Sequence, residues 1–423
     1  MSSVFSIALS SLQAESEAIS TTGNNLANLN TTGFKTSEAD FKDLYNESIG
    51  ASGGLQIGLG VTLPLTDQIF SQGSIQSSSS PTACAIQGNG FFVLSNPAGG
   101  QQLLTRDGNF SLNAQGLLQT QTGEAVQGWT ASASGTINTN GTPGNINLPT
   151  GATLPPVATQ NFSISGNLDA QATAGTATGT FTAPMQVIDS LGNTHNLTIT
   201  FTQSATTANT WSYNVTIPSG DLAGGTPGTQ QSVLAAPGTL TFNSDGSLST
   251  AGGTSPVPVS IKGLADGAAN MNIKWNLFNA NGGGDITQYA QTSSLSSSQQ
   301  DGSQAAQLTS IGIETGGQIL ATYSNGQQQA VAQLALAAVS NPTSLTNAGN
   351  NNFALSGNSA SPVLGPPQSG GRGQILGGSL EGSNVDMATQ FTNLIVYQSA
   401  YQASSRVIST AQTIDQDLLQ LIH

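Results

Sequence analysis

From Val396 to the end of the chain, apolar side chains recur every three or four residues, at Val396, Ala400, Ala403, Val407, Ala411, Ile414, Leu418 and Leu421. That spacing predicts one face of a helix. The opposite face carries Gln398, Gln402, Ser405, Ser409, Gln412, Gln416 and Gln420, so it is polar yet uncharged. Met387, Phe391 and Leu394 start on a different side, a rotation that predicts changing neighbours along the helix. A helix from Asn384 to Leu421 is roughly 55 Å long at 1.5 Å per residue. A second helical pattern opens the chain at Phe5, Leu9, Leu12, Ile19 and Leu26, with Ser16 and Gly23 filling the remaining places. Gly23, Asn24 and Asn25 mark where it weakens or ends. Isolated helices are marginal in water, so both require partners. The spacing is satisfied equally by a helical hairpin that closes one globular core and by assembly between chains.

Between these ends the pattern changes to period two. Strands are predicted in 86–94, 103–112, 125–129, 184–201, 211–217, 238–242, 257–261, 271–278 and 319–323, with turns at Asp107-Gly108, Leu191-Gly192-Asn193, Asp245-Gly246 and Asn325-Gly326. The run 331–338 fits a strand or a short helix. Gly/Thr/Asn/Pro-rich text at 131–160 and a glycine run at 282–284 mark boundaries. A Pro/Gly/Ser-rich linker precedes Gly373, and Ser383 or Asn384 is placed to cap the last helix, with Asp386 near its positive end.

Composition narrows the function classes. Charged residues make up 7% of the 423, against roughly 25% in ordinary domains, so solubility rests on amides and hydroxyls. The formal net charge is −14, and the seven basic residues are scattered, which leaves no patch for nucleic acid. Cys84 is the single cysteine and reads as a small buried hydrophobe rather than a disulfide partner. No basic residue precedes Lys35 and no run approaches membrane-spanning length, so the expectation is a chain without a secretory signal, cytoplasmic or exported by a route that cleaves none.

Candidate chemistry is sparse. Gly50-Ala-Ser52-Gly-Gly54 has the spacing of a nucleophile elbow, but no buried strand leads into it. Gly88-Asn-Gly90 lacks a third glycine and a following helix. Asp189 and His195 invite a metal reading but lack a third ligand nearby, so hairpin ends are the simpler account. No enzymatic activity, cofactor, metal or small-molecule substrate is expected.

The stretch Leu26-Ala27-Asn28-Leu-Asn-Thr31-Thr-Gly33-Phe34-Lys35 resembles the amino-terminal signature of the bacterial flagellar rod and hook family. Leu380-Glu-Gly-Ser383-Asn384-Val385-Asp386 and Tyr397-Gln-Ser-Ala-Tyr401 resemble its carboxy-terminal one, and 86–129 resembles its β-domain. The Asp189-Ser-Leu-Gly-Asn turn and the length of the insertion resemble hook-type members rather than the shorter rod proteins.

The resemblance implies a mixed α and β, multidomain fold. The two terminal helices pair in a coiled-coil-like manner, and one of two mainly antiparallel β domains is inserted in the other. The expected parts are a helical domain of 1–30 and 380–423, connectors 31–80 and 361–379, a discontinuous β domain of 81–144 and 285–360, and an outer β domain of 145–284. It also implies a subunit exported through the flagellar type III apparatus, polymerising with copies of itself into a curved, flexible hollow tube. That tube transmits torque from rod to filament and meets rod, cap and junction proteins. The apolar helix positions would serve assembly and the Gln/Ser face would line the channel. A distal rod subunit and a secreted β-rich adhesin are the alternatives.

Overall fold

The computed structural model describes residues 2–45, 58–96, 101–132, 135–151, 153–249, 255–357 and 359–421. Ser52 of the discarded elbow and His423 lie outside them. Two helices frame the chain, α1 (Ser2–Ala27) and α2 (Met387–Leu421), and strands fill the rest. The chain divides into two compact units, the first Met1–Thr150 with Ser310–Thr322 and Gln328–His423, the second Gly151–Thr309 with Tyr323–Gln327.

In the first unit, the segments leaving α1 and approaching α2 run antiparallel as a connector. Ile75–Ser77 pairs with Ser379–Glu381, and Cys84–Gln87 pairs with Gln374–Gly377. Beyond it lies a mainly antiparallel sheet in which Phe91–Ser95 is flanked by Ala125–Thr130 and Gln102–Thr105, the latter extended by Asn352–Ala354. Its core packs Phe91, Leu104, Trp129 and Phe353. The run 331–338 is strand, not helix, as the end of Gln328–Leu334 and the whole of Leu336–Ala338. Each strand is paired on both edges, and residues 332–337 are buried without a break, as in a strand covered on both faces.

Asp107-Gly108 does not turn the hairpin that its sequence suggests. Gln102–Thr105 pairs with Phe91–Ser95, and Ser111–Leu112 pairs with Leu118–Gln119. The Gly108 carbonyl instead accepts the Cys84 N–H at 3.0 Å. A Cβ on Gly108 would lie 1.7 Å from the Cys84 carbonyl oxygen, so glycine is required there for close approach rather than for a turn.

The second unit is a sandwich of two sheets. One joins Thr180–Ile188, Thr194–Gln203 and Thr210–Pro218 antiparallel, with buried and half-buried residues alternating through all nine residues of Thr210–Pro218. The other is built on Asn161–Asp169, which pairs parallel with Met271–Asn276 and Ile286–Tyr289 and antiparallel with Ser294–Gln300. Their facing sides share one core around Trp211, Trp275, Phe162 and Phe201, with Phe162 stacked on Trp275 at 5.8 Å. The unit therefore extends past residue 284. Ser294–Gln300 is a Ser/Gln strand with little apolar alternation, so its own sequence carries no strand signal.

Candidate assembly site

The face of α1 that packs against α2 is made of small residues. Ala14 and Ala18 are fully buried, Thr22 and Asn25 continue their three-to-four spacing, and Ala8 is buried six residues earlier. Ser11 Oγ lies 2.9 Å from Ser404 Oγ, and Asn25 Nδ2 donates to Gln390 Oε1 at 3.1 Å. The two contacts are equally far apart along both helices, so the pair is antiparallel in one register. Buried Gln390 and half-buried Leu394, Tyr397, Ser404, Ile408 and Ala411 follow heptad spacing on α2. Small side chains bring two helix axes close. Ala18→Leu is expected to force the pair apart at a cost of about 1–3 kcal/mol, measured by chemical unfolding followed through helical circular dichroism.

The large apolar side chains read from the sequence are mostly elsewhere. Phe5 and Leu9 are exposed, while Leu12, Ile19 and Leu26 are half-buried. On α2, Phe391, Val396, Val407 and Ile414 are exposed, and Leu394, Ala400 and Ala411 are half-buried. Ile395, not singled out in the sequence, is 63% exposed. The Gln398, Gln402, Ser405, Ser409, Gln412 and Gln416 face is exposed as well. The side chains of Leu418, Gln420 and Leu421 lie outside the described set.

Where the helices meet the connector, the signature residues close on one another. Asn28, after the last α1 residue Ala27, accepts from Thr31 Oγ1 at 3.1 Å. Gly33 has φ of +69°, its N–H donates to the Glu381 carbonyl at 2.8 Å, and a Cβ on it would lie 2.6 Å from the Asp107 nitrogen. Glycine is thus needed at this contact. Phe34 is buried beside it. Lys35 Nζ, fully buried, donates to Glu381 Oε1 at 2.6 Å and to the Ser71 carbonyl at 2.8 Å. Arg106 Nη1 reaches Glu381 Oε2 at 3.3 Å, its Nη2 donates to the Gly88 carbonyl, and its guanidinium lies over the Phe91 ring.

One buried carboxylate therefore holds two buried cations drawn from distant parts of the chain. Burial pulls both Lys35 and Arg106 below their ordinary pKa values, while Glu381 acts in the opposite direction. Burial also raises Asp107, against the hydrogen bonds it accepts from Asn109 and Thr32.

Asn384 does not cap α2. Its Oδ1 accepts from the Thr36 N–H at 2.7 Å and its Nδ2 donates to the Ile69 carbonyl at 2.7 Å, which ties the segment after α1 to the segment before α2. The cap is Asp386, whose Oδ1 accepts the Thr389 N–H at 2.7 Å. Hydrogen bonds to its carboxylate hold its pKa below the usual value. Ser383 Oγ accepts from the buried Val385 N–H one turn earlier. Arg106, Glu381 and the alanine stripe carry most of this geometry. Their signals in the sequence were an isolated Arg-Asp pair and a three-to-four repeat of small residues, neither of which stands out by hydropathy.

Family models of flagellar proteins match this architecture along the chain. "Flagella basal body rod protein" covers residues 5–35, "Flagellar hook protein FlgE/F/G D1 domain" 85–209, "Flagellar basal body protein FlaE D2 domain" 159–303 and "Flagellar basal body rod FlgEFG protein C-terminal" 376–421. Paired terminal helices around inserted β units are thus those of a flagellar rod and hook type protein. Flagellar hook protein FlgE of Treponema pallidum is 31% identical across 100% of this chain and 99% of its own length. That of Salmonella typhimurium is 30% identical across 99% of both. The chain belongs to the flagellar hook protein family. The crystal structure of Helicobacter pylori flagellar hook protein FlgE2 shares the fold, with a TM-score of 0.51 at 16% identity over 71% of this chain and 99% of that one.

Proposed function

We propose that this hook-family chain polymerises through α1 and α2 into the curved, flexible hollow tube of the flagellar hook, which carries torque from rod to filament. The observation behind this reading is the set of large apolar side chains that the helix pair leaves uncovered, Phe5, Leu9, Phe391, Ile395, Val396, Val407 and Ile414. Burying one such side chain is worth about 1.5–3 kcal/mol, so neighbouring copies have a strong driving force to cover them. The role is structural rather than catalytic. Its partners are further copies of the chain, the rod, cap and junction proteins, and the type III export apparatus, which takes it without a cleaved signal.

In the tube, the uncharged face of Gln398, Gln402, Ser405, Ser409, Gln412 and Gln416 lines the channel, where passing unfolded chains meet neither ion pairs nor apolar patches. Changing Gln412 and Gln416 together to leucine is expected to slow growth of the filament beyond the hook while hooks of normal length still assemble. Filament length per unit time in motile cells measures this, and unchanged growth removes these residues from the channel.

A further inference from the structure

The second unit holds a cluster that neither its core nor the assembly helices use. His195, 6% exposed and the only histidine among the described residues, sits at the start of Thr194–Gln203. Three carboxylates from three separate loops surround its ring. Asp221, at the end of a 3-10 turn (Ser219–Asp221), places Oδ2 3.1 Å from Nδ1. Asp189, fully buried, places Oδ2 3.0 Å from Nε2, and Asp266 places its Oδ2 3.5 Å from the same nitrogen.

Several of the carboxylate oxygens also accept from the protein, and Asp266 Oδ2 itself takes the Asn193 Nδ2–H at 3.0 Å. Asp189 Oδ1 accepts the Leu191 and Asn193 N–H groups, and Asp266 Oδ1 accepts that of Ala268. The loops are thus fixed in place around the ring.

In the neutral imidazole that donates its Nδ1–H to Asp221, the Nε2 lone pair faces Asp189 and Asp266. Nε2 and the two oxygens are then three converging acceptors, mutually within 4.8 Å, and acceptors converge only around a positive centre. A proton on Nε2 points at one oxygen and leaves the other, Asp266 Oδ2, with only the Asn193 side-chain amide as a donor, at 3.0 Å. A metal ion serves all three. With metal–ligand bonds of about 2.1 Å, neighbouring ligand atoms are roughly 3.0 Å apart at right angles and roughly 3.4 Å apart in a tetrahedron, by trigonometry from that bond length. The two Nε2–oxygen separations of 3.0 and 3.5 Å are edges of that size.

We propose that Asp189, His195 and Asp266 form a site for a borderline divalent transition ion, with Zn2+ as its best match, and that Asp221 is the positioning residue for the imidazole. One nitrogen and two oxygens suit Zn2+ better than Ca2+, which takes six to eight oxygens. The Asp266 side chain is 25% exposed, which gives the ion an entry and leaves room for water to complete its shell. A bound ion would tie the turn after Ile188, the Ser219–Asp221 turn and the loop at 264–268 together, and so stabilise the second unit by mass action.

The test is calorimetric titration of the untagged full-length chain, stripped with EDTA, with Zn2+ in a non-chelating buffer. Saturable binding of one equivalent is expected, weakened about tenfold or more in Asp266→Asn and in His195→Gln, with Mg2+ failing to compete. Asp245→Asn, an exposed carboxylate elsewhere in the unit, should bind as the original chain does. Should His195→Gln lose its native circular dichroism, partly exposed Asp266→Asn carries the comparison. No saturable binding, or equal affinity in the original chain and folded Asp266→Asn, overturns the proposal.

Discussion

Glu381→Ala is expected to destabilise the first unit by about 3–5 kcal/mol, the cost of leaving buried charge without its partner. Both Lys35 and Glu381 have fully buried side chains, and Arg106 is 5% exposed. Without the carboxylate, Lys35 keeps the Ser71 carbonyl, and Arg106 keeps that of Gly88 and the face of the Phe91 ring. Neither acceptor neutralises a cation in a dry site. The Gly73 N–H, which donates to Glu381 Oε1 at 3.0 Å, also loses its acceptor. Lys35→Met should cost less, because it leaves Arg106 on the carboxylate. Urea unfolding gives the free-energy differences, and amide exchange at Gly73 shows whether the connector opens first. A loss below about 1 kcal/mol for Glu381→Ala, typical of an exposed pair, would mean that water reaches the triad.

The second large effect separates folding from assembly. Replacing Phe391, Ile395 and Val396 together with serine should leave the folded chain as stable as before, within about 0.5 kcal/mol per site, because exposed positions away from packed features rarely cost more. Polymerisation should nevertheless be abolished. The three side chains are 46%, 63% and 55% exposed in the single chain, so what they lose is contact with other copies. Sedimentation and electron microscopy of the purified proteins, with unfolding curves run in parallel, distinguish the two effects. Tubes from the triple variant would place the subunit interface on other residues, and a collapsed unfolding curve would place these side chains in the chain's own core.

Much of the β architecture was legible because alternation is a strong signal where one face is buried. Leu191-Gly192-Asn193 turns the hairpin that pairs Val187 with His195, and Asn325-Gly326 joins the paired strands Gln318–Tyr323 and Gln328–Leu334. Asp107-Gly108 misled because a turn dipeptide is equally suited to a close backbone approach, and only the position of Cys84 distinguishes them.

The helices were legible as helices, but not by which face pairs them. Hydropathy ranks Leu9 and Val396 above Ala18 and Ser404, whereas the packing of two nearby axes selects the small ones. The charged triad was invisible for another reason. Lys35, Arg106 and Glu381 are far apart in sequence, and only the pairing of the connector strands brings them together. Asp266 is likewise remote from Asp189 and His195 in sequence, and the loop between Val257–Ile261 and Met271–Asn276 brings it to them as the proposed third ligand.

The account turns on where the uncovered apolar faces go, and electron cryo-microscopy of hooks assembled from this chain tests it most directly. The account predicts α1 and α2 in the innermost wall, with Phe391, Ile395, Val396 and Val407 buried against neighbouring copies and Gln412 and Gln416 facing the channel. Helices on the outside of the tube, or those apolar side chains still in contact with solvent, would contradict it.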